Sequence, residues 1–112
     1  MDVSLQPLRV SMGWVINYKV LYEIDPDSPL LTDENRWAFS SQDLLQFTHP
    51  RRNRLVDVGW YPEGDLAAGA YKLVVYEGDF RGRLVKEYRT PLRLELISEL
   101  ERVLTSVTAG EL

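Results

Sequence analysis

Hydrophobic and polar positions alternate along two long stretches of the chain, which predicts β-strands with one buried face. In "GWVINYKVLYEI", residues 13–24, aromatic and β-branched residues recur at every second position, the period of a half-buried strand. In "RLVDVGWY", residues 54–61, Val56, Val58 and Trp60 share one face. Both segments are therefore predicted to lie in a sheet with that face turned to the core.

The region between these strands is harder to assign. "RWAFS", residues 36–40, alternates two aromatic residues and predicts a short strand. "SSQDLLQFTHP", residues 40–50, fits either a short helix capped by Ser41 or a strand face that includes Leu45 and Phe47. The strand is the favoured assignment.

Two further alternating segments follow residue 61. "AYKLVVYEG", residues 70–78, carries apolar residues on both faces, which indicates an interior strand, and in "RLVKEYR", residues 83–89, Leu84 and Tyr88 alternate with Val85 and Glu87. Turns that contain glycine separate them, so residues 54–89 are predicted to form a three-stranded meander.

The C-terminal region predicts an amphipathic helix. Thr90 is a suitable N-cap, Pro91 suits the first helical position, and neither proline nor glycine recurs before Gly110. The apolar residues fall at helical spacing; they are Leu96, Ile97, Leu100, Val103, Leu104 and Val107. Residues 1–112 are thus predicted to form a single α+β domain, an antiparallel sheet of about five strands with this helix packed on one face.

The charged residues are segregated along the chain. The formal net charge is −4, which argues against a general nucleic-acid-binding protein. "EIDPDSPLLTDE", residues 23–34, contains five acids and no base, whereas "HPRRNR", residues 49–54, contains three arginines. The acidic run is either a solvated loop or a surface that steers a basic partner.

Several classes of chemistry lack the residues that they need. There is no cysteine, and a single histidine excludes a two-histidine ribonuclease. We expect His49, beside a proline, to be a loop residue. Asp57, within an apolar strand, must either face solvent or be paired, and its position in the alternation favours the solvent side. Asp25, Asp27 and Asp33 lack the spacing of a calcium loop. We therefore expect no enzyme activity, metal or cofactor.

The chain shows no apolar run long enough to cross a bilayer and no signal-peptide pattern. A cytoplasmic location is expected. Among the aromatic residues, Trp14, Trp37 and Trp60 are expected at the core or its edge. Alternatively, Tyr18, Tyr22, Trp37 or Tyr61 could anchor an interface beside the acids.

The segments "GWVINYKVLYEIDP", "DLLQF" and "RRNRLVDVGWYPEGD…AYKLVVYEGDF", followed by a Leu/Glu-rich helix, resemble small bacterial immunity proteins of polymorphic toxin and contact-dependent growth inhibition systems. The resemblance implies a non-catalytic protein that binds and neutralises one cognate toxin domain, often a nuclease. Folds vary within this group, so no functional residue is transferred from it.

The residues themselves offer two candidate binding surfaces. In the first, acids steer the partner and two aromatic residues anchor it; they are Glu23, Asp25, Asp27, Asp33 and Glu34, with Tyr22 and Trp37. The second consists of Asp57, Tyr61, Glu63 and Asp65.

Two other functions remain open at this stage. The chain could be a homodimeric structural or regulatory domain that associates through a sheet edge. It could also be a small-ligand-binding or enzymatic α+β domain, which would need a pocket where several polar side chains converge, drawn from His49, Arg52, Arg54, Asp57 and Tyr76.

Overall fold

A computed structural model describes residues 3–32, 34 and 36–112. Its five strands form one antiparallel sheet in sequence order; they are β1 (Val15–Lys19), β2 (Leu45–His49), β3 (Arg54–Tyr61), β4 (Ala70–Glu77) and β5 (Leu84–Thr90). A short helix, α1 (Arg36–Phe39), lies between β1 and β2, and α2 (Arg93–Thr108) follows β5. The predicted α+β fold is confirmed, and the meander includes all five strands.

The hydrophobic core lies between α2 and one face of the sheet. Phe47, Val56 and Val75 form one cross-strand row of this face, since each is the register partner of the next. The predicted apolar stripe of α2 is buried against these rows, except for Ile97, which is half-buried. Complete burial of such a side chain stabilises the fold by about 1.5–3 kcal/mol, so this interface holds the two layers together.

The start of α2 differs from the prediction. Thr90 pairs with Tyr71 as the last residue of β5, and this pairing keeps it extended. Its hydroxyl oxygen accepts the Leu92 N–H at 3.1 Å and its hydroxyl donates to Glu95 Oε2 at 2.8 Å. The predicted capping residue therefore does bind an amide, but the helix begins three residues later, at Arg93.

The strand predicted over residues 13–24 was too long. Regular pairing ends at Lys19, and Tyr22 forms only an isolated bridge with Leu5. The register shifts between Ile16 and Tyr18, which breaks the alternation. Trp14 consequently packs against the core, whereas the Tyr18 side chain reaches the opposite face.

Residues 36–40 were wrongly predicted as a strand, whereas the segment 40–50 does contain the favoured strand, β2. Both edges of β2 are already paired, with β1 and β3, which leaves no place beside it for the preceding segment. Residues 36–39 instead form one helical turn, closed by the Ser40 hydroxyl donating to the Arg36 carbonyl at 2.9 Å.

The arginine cluster after β2 stabilises the end of α2. Arg52 donates to the Thr108 carbonyl from both Nε and Nη2, at 3.2 and 3.0 Å, and Arg54 donates to the Leu112 carbonyl at 3.1 Å. Cations at a helix C-terminus offset its partial negative charge. Two of the three arginines in "HPRRNR" thus have a structural role.

Candidate functional site

The sheet has an open face, opposite α2, which no helix or strand of the described residues covers. Asp57 lies on this face between Leu55 and Gly59, as its position in the alternation requires. Its expected solvent exposure was wrong, because only 6% of the residue is accessible. The polar side chains beside it provide the cover.

Asp57 is held by hydrogen bonds from both neighbouring strands. The Tyr18 hydroxyl donates to Asp57 Oδ2 at 3.2 Å, and Gln46 Nε2 donates to the same oxygen at 3.3 Å. The Tyr18 hydroxyl also lies 3.4 Å from Asp43 Oδ1. Two carboxylates are therefore grouped around one phenol.

This group has a strongly perturbed electrostatic environment. Burial raises the pKa of Asp57, and the hydrogen bonds from Gln46 and Tyr18 only partly oppose that rise. Burial also raises the pKa of Tyr18, and the charges of Asp57 and Asp43 add to the effect. Negative charge is already concentrated here, so a cation is the complementary ligand.

Tyr61 connects this group with a neighbouring groove. Its pKa is raised by burial and then by the charges of Asp57, Asp43 and Glu63. On its other side, the Lys72 ammonium lies 4.9 Å from the centre of the Tyr61 ring. Glu63 belongs to the loop that follows β3, so the acids of this loop adjoin the open face.

The neighbouring groove, which we call the acidic groove, has a volume of about 770 Å³. Its lining comes from α1 and the β3–β4 loop; the residues are Arg36, Trp37, Glu63, Gly64, Asp65, Leu66 and Ala67. Trp37 is 70% exposed, in contrast to Trp60, which is 2% exposed in the core. The expectation that Trp37 lies at the core or its edge is therefore wrong, whereas the one for Trp60 is confirmed.

The loop that forms one wall of the groove is held in place by hydrogen bonds. The Gly64 N–H donates to the Ser40 carbonyl at 3.1 Å, which ties the loop to the end of α1. Trp60 Nε1 donates to the Asp65 carbonyl at 2.8 Å, and Asp65 Oδ1 accepts the Ala68 N–H at 2.9 Å. The backbone at Asp65 is thus held by the core residue Trp60, and the backbone next to Glu63 is held by the end of α1.

The predicted binding residues fall into two groups. Trp37, Glu63 and Asp65 line the acidic groove, and Asp57 and Tyr61 lie on the adjoining open face. Trp37, an anchor of the first predicted surface, therefore belongs to the same region as all four residues of the second surface.

The remaining residues of the first surface are arranged differently. The acids Glu23, Asp25, Asp27 and Glu34 are exposed, whereas Asp33 lies outside the described residues. Asp25 pairs with Arg93 Nε at 3.0 Å, beside the start of α2. Tyr22 is half-buried with its ring 5.1 Å from that of Phe39, so it supports α1 and is not exposed as an anchor.

Two residues around Asp57 were not found from the sequence. Asp43 lies in the segment that fitted either a helix or a strand, and Gln46 shares a face with Asp57 only once β2 is paired in register with β3. Tyr18 was considered as an interface residue, but the register shift in β1 concealed its approach to Asp57.

The five polar residues considered for a ligand pocket do not converge. Asp57 and Tyr76 lie on the open face, whereas Arg52 and Arg54 reach the C-terminal end of α2. His49, expected in a loop, is the last residue of β2 and is buried on the helix side. Of these five residues, His49 and Arg52 line one pocket and the other three lie elsewhere, so the set as a whole does not converge.

The fold and this surface define an α+β protein in which acidic and aromatic side chains lie on the sheet face opposite α2, together with the bases Lys72 and Arg89. Comparison of the chain with protein-family models, with curated proteins and with solved structures finds no match. Within residues 3–32, 34 and 36–112, no helix has the length and apolar character needed to cross a membrane. The same residues contain no cluster of three or more potential metal ligands.

Proposed function

We propose that this protein is a non-catalytic immunity protein that binds a cognate toxin domain through the acidic groove and the adjoining open face. The observation that carries the proposal is the exposure of Trp37 beside Glu63 and Asp65. Tryptophan is enriched among the residues that dominate binding energy at protein interfaces. A tryptophan held at the rim of an acidic groove suits a partner that is basic and partly apolar.

The charge of the surface supports the kind of partner. Asp43, Asp57, Glu63 and Asp65 lie on or beside the groove and the open face. A nuclease domain requires a positively charged cleft for the phosphate backbone. Carboxylates arranged around such a cleft attract it and can occupy the sites of phosphates. The toxin is therefore proposed to be a nuclease, and the protein to act with it in the cytoplasm.

The exposed acids at 23–34 have a supporting role in this proposal. Glu23, Asp27 and Glu34 add negative charge without being required for direct contact. Long-range attraction of this kind raises the association rate and is weakened by salt. We assign these residues to steering and the acidic groove to the contact itself.

Co-expression with the product of the gene immediately upstream tests the proposal. Native mass spectrometry should show a one-to-one complex, and the neighbour should be toxic when this protein is withheld. A protein that elutes alone beside a harmless neighbour would contradict the function. A stable homodimer in light scattering, with no partner bound, would instead favour an interaction domain that pairs through its sheet edge.

A matched pair of variants tests the assignment of the surface. Glu63→Gln combined with Asp65→Asn removes two charges from the groove, and the asparagine can still accept the Ala68 N–H. Glu77→Gln combined with Asp79→Asn removes two charges at the opposite end of β4. The two substitutions in the groove should lower the affinity for the toxin and reduce the salt dependence of binding, whereas the two control substitutions should change neither. Equal effects of the two pairs would contradict docking at the groove.

A further inference from the structure

The Tyr18 hydroxyl has a single proton but lies within hydrogen-bond distance of two carboxylates. It is 3.2 Å from Asp57 Oδ2 and 3.4 Å from Asp43 Oδ1. A phenol can donate one hydrogen bond and accept another, so it cannot donate to both acids at once. Burial and the two neighbouring charges raise the pKa of Tyr18, so the phenol keeps its proton at neutral pH. The acid that does not receive this proton must be satisfied in another way.

The two carboxylates differ in their access to water. Asp43 is exposed, whereas only 6% of Asp57 is accessible. Water can therefore solvate the Asp43 carboxylate when the phenol turns away from it, but it reaches Asp57 poorly. An ionised Asp57 depends instead on the hydrogen bonds from Tyr18 and Gln46, because a buried charge without such bonds is strongly unfavourable.

The charges on the rest of the open face do not balance Asp57. The other titratable groups that share this face come from β3, β4, β5 and the loop after β3; they are Tyr61, Glu63, Lys72, Tyr76, Glu87 and Arg89. The Lys72 ammonium lies 3.6 Å from Glu87 and above the Tyr61 ring, and Arg89 donates to the Tyr61 carbonyl at 3.4 Å. Within the described part of the chain, no base forms an ion pair with Asp57.

Two hydrogen-bond arrangements satisfy all three groups of this cluster. When Asp57 is ionised, the Tyr18 hydroxyl donates to Asp57 and water solvates Asp43. When Asp57 is protonated, its own O–H donates to the Tyr18 oxygen, and the Tyr18 hydroxyl donates to Asp43. The same interatomic distances serve both arrangements, so the O–H bonds need only rotate. Burial raises the pKa of Asp57, so the protonated arrangement persists to a higher pH than it would for an exposed carboxyl group.

We propose that Asp57, Tyr18 and Asp43 form a proton-dependent switch that controls the negative charge of the open face. As pH rises, Asp57 releases one proton, the face gains one negative charge, and the Tyr18 hydroxyl turns from Asp43 to Asp57. A consequence for binding rests on the proposed function: a basic toxin domain binds the ionised arrangement more tightly, so its binding releases a proton from Asp57.

Carbon-13 NMR of the free protein tests the switch without a partner. Asp57 should titrate above the ordinary carboxyl pKa of about 4. The Tyr18 Cζ resonance should move with the same midpoint, because the hydroxyl exchanges its acceptor, and Asp57→Asn should remove this step. The Cζ resonance of Tyr22, whose ring packs on Phe39, should not follow it. A midpoint of Asp57 at or below about 4, or a Tyr18 resonance that does not follow Asp57, would overturn the proposal.

Calorimetry with the co-expressed toxin measures the coupling to binding. Near the midpoint of Asp57, the heat of binding should depend on the ionisation enthalpy of the buffer, which reveals proton release. Affinity should fall about tenfold as pH drops below the midpoint, the effect of losing one charge-assisted contact. Asp57→Asn should remove both effects, whereas Asp79→Asn, the same change in the β4–β5 turn, should retain them.

The two measurements separate the switch from the proposed function. Absence of a complex at every pH would contradict the proposed function, and the spectra of the free protein would still decide whether the switch exists. A complex whose affinity and proton release are the same for the wild type and Asp57→Asn would overturn the coupling of the switch to binding.

Discussion

Replacement of Trp37 by alanine is the most direct test of the acidic groove. An average tryptophan side chain offers about 200 Å² of surface, so 70% exposure leaves about 140 Å² available to a partner. At about 25 cal/mol per Å², burial of this area would contribute about 3.5 kcal/mol. Fixing the side chain costs about 1 kcal/mol, and the remaining 2.5 kcal/mol or so corresponds to a roughly 70-fold loss of affinity for Trp37→Ala.

Isothermal titration calorimetry with the co-expressed partner measures this loss. Leu94→Ala is the control, because Leu94 is also a highly exposed apolar residue but lies on α2, on the other side of the sheet. Thermal unfolding of both free variants should confirm that they fold. If Trp37→Ala binds within about twofold of the wild type, or if Leu94→Ala loses as much, the groove is not the contact surface.

Three further substitutions test the account of the fold. Burial raises the pKa of Asp57, so the folded state binds the proton of this carboxyl more tightly than the unfolded state does. The stability of the fold therefore decreases as pH rises from the ordinary carboxyl pKa of about 4 through the raised pKa. Asp57→Asn should therefore unfold at a higher temperature than the wild type at neutral pH, with the advantage shrinking in acid; an advantage independent of pH would contradict this explanation. Leu100→Ala should lower the free energy of unfolding in urea by about 2–5 kcal/mol, because the side chain is fully buried, whereas Leu94→Ala on the exposed side of α2 should change it by less than about 0.5 kcal/mol. Gly59→Ala should destabilise the fold by about 1–3 kcal/mol, because the new Cβ would lie 2.1 Å from the Gln42 carbonyl oxygen. An unchanged denaturation midpoint would show that the segment around Gln42 moves aside freely.

The elements with regular patterns were the ones that the sequence predicted well. Strands β3 and β4 alternate without interruption, and the apolar stripe of α2 has helical spacing throughout, so side-chain period alone identified them. The pattern failed at β1, where the register shift moved Tyr18 to the other face. No local signal distinguishes a strand that continues from one that shifts its register.

The acidic groove could be predicted only in part, for a different reason. Trp37 and Glu63 are 26 positions apart in the chain, and they meet because the β3–β4 loop bonds to the end of α1. The acids were recognised by their type, but which of them share a surface depends on sheet register and loop contacts. Asp25 illustrates the limit, because its carboxylate pairs with Arg93, 68 positions away.

A buried carboxylate on the open face and an exposed indole in the groove are both unfavourable in the free protein, and a bound partner would remove both costs. Burial of the Asp57 carboxylate beside Asp43 disfavours its charged form, and exposure of Trp37 leaves apolar surface in water. Guanidinium groups are suited to both sites, because a guanidinium stabilises a carboxylate by pairing with it and stacks by its plane on an indole. On this reasoning Asp57→Asn should stabilise the free protein and yet weaken the complex, which is the opposite of what a purely structural carboxylate would do. A variant that is more stable and binds the partner as tightly as the wild type would remove Asp57 from the proposed contact surface.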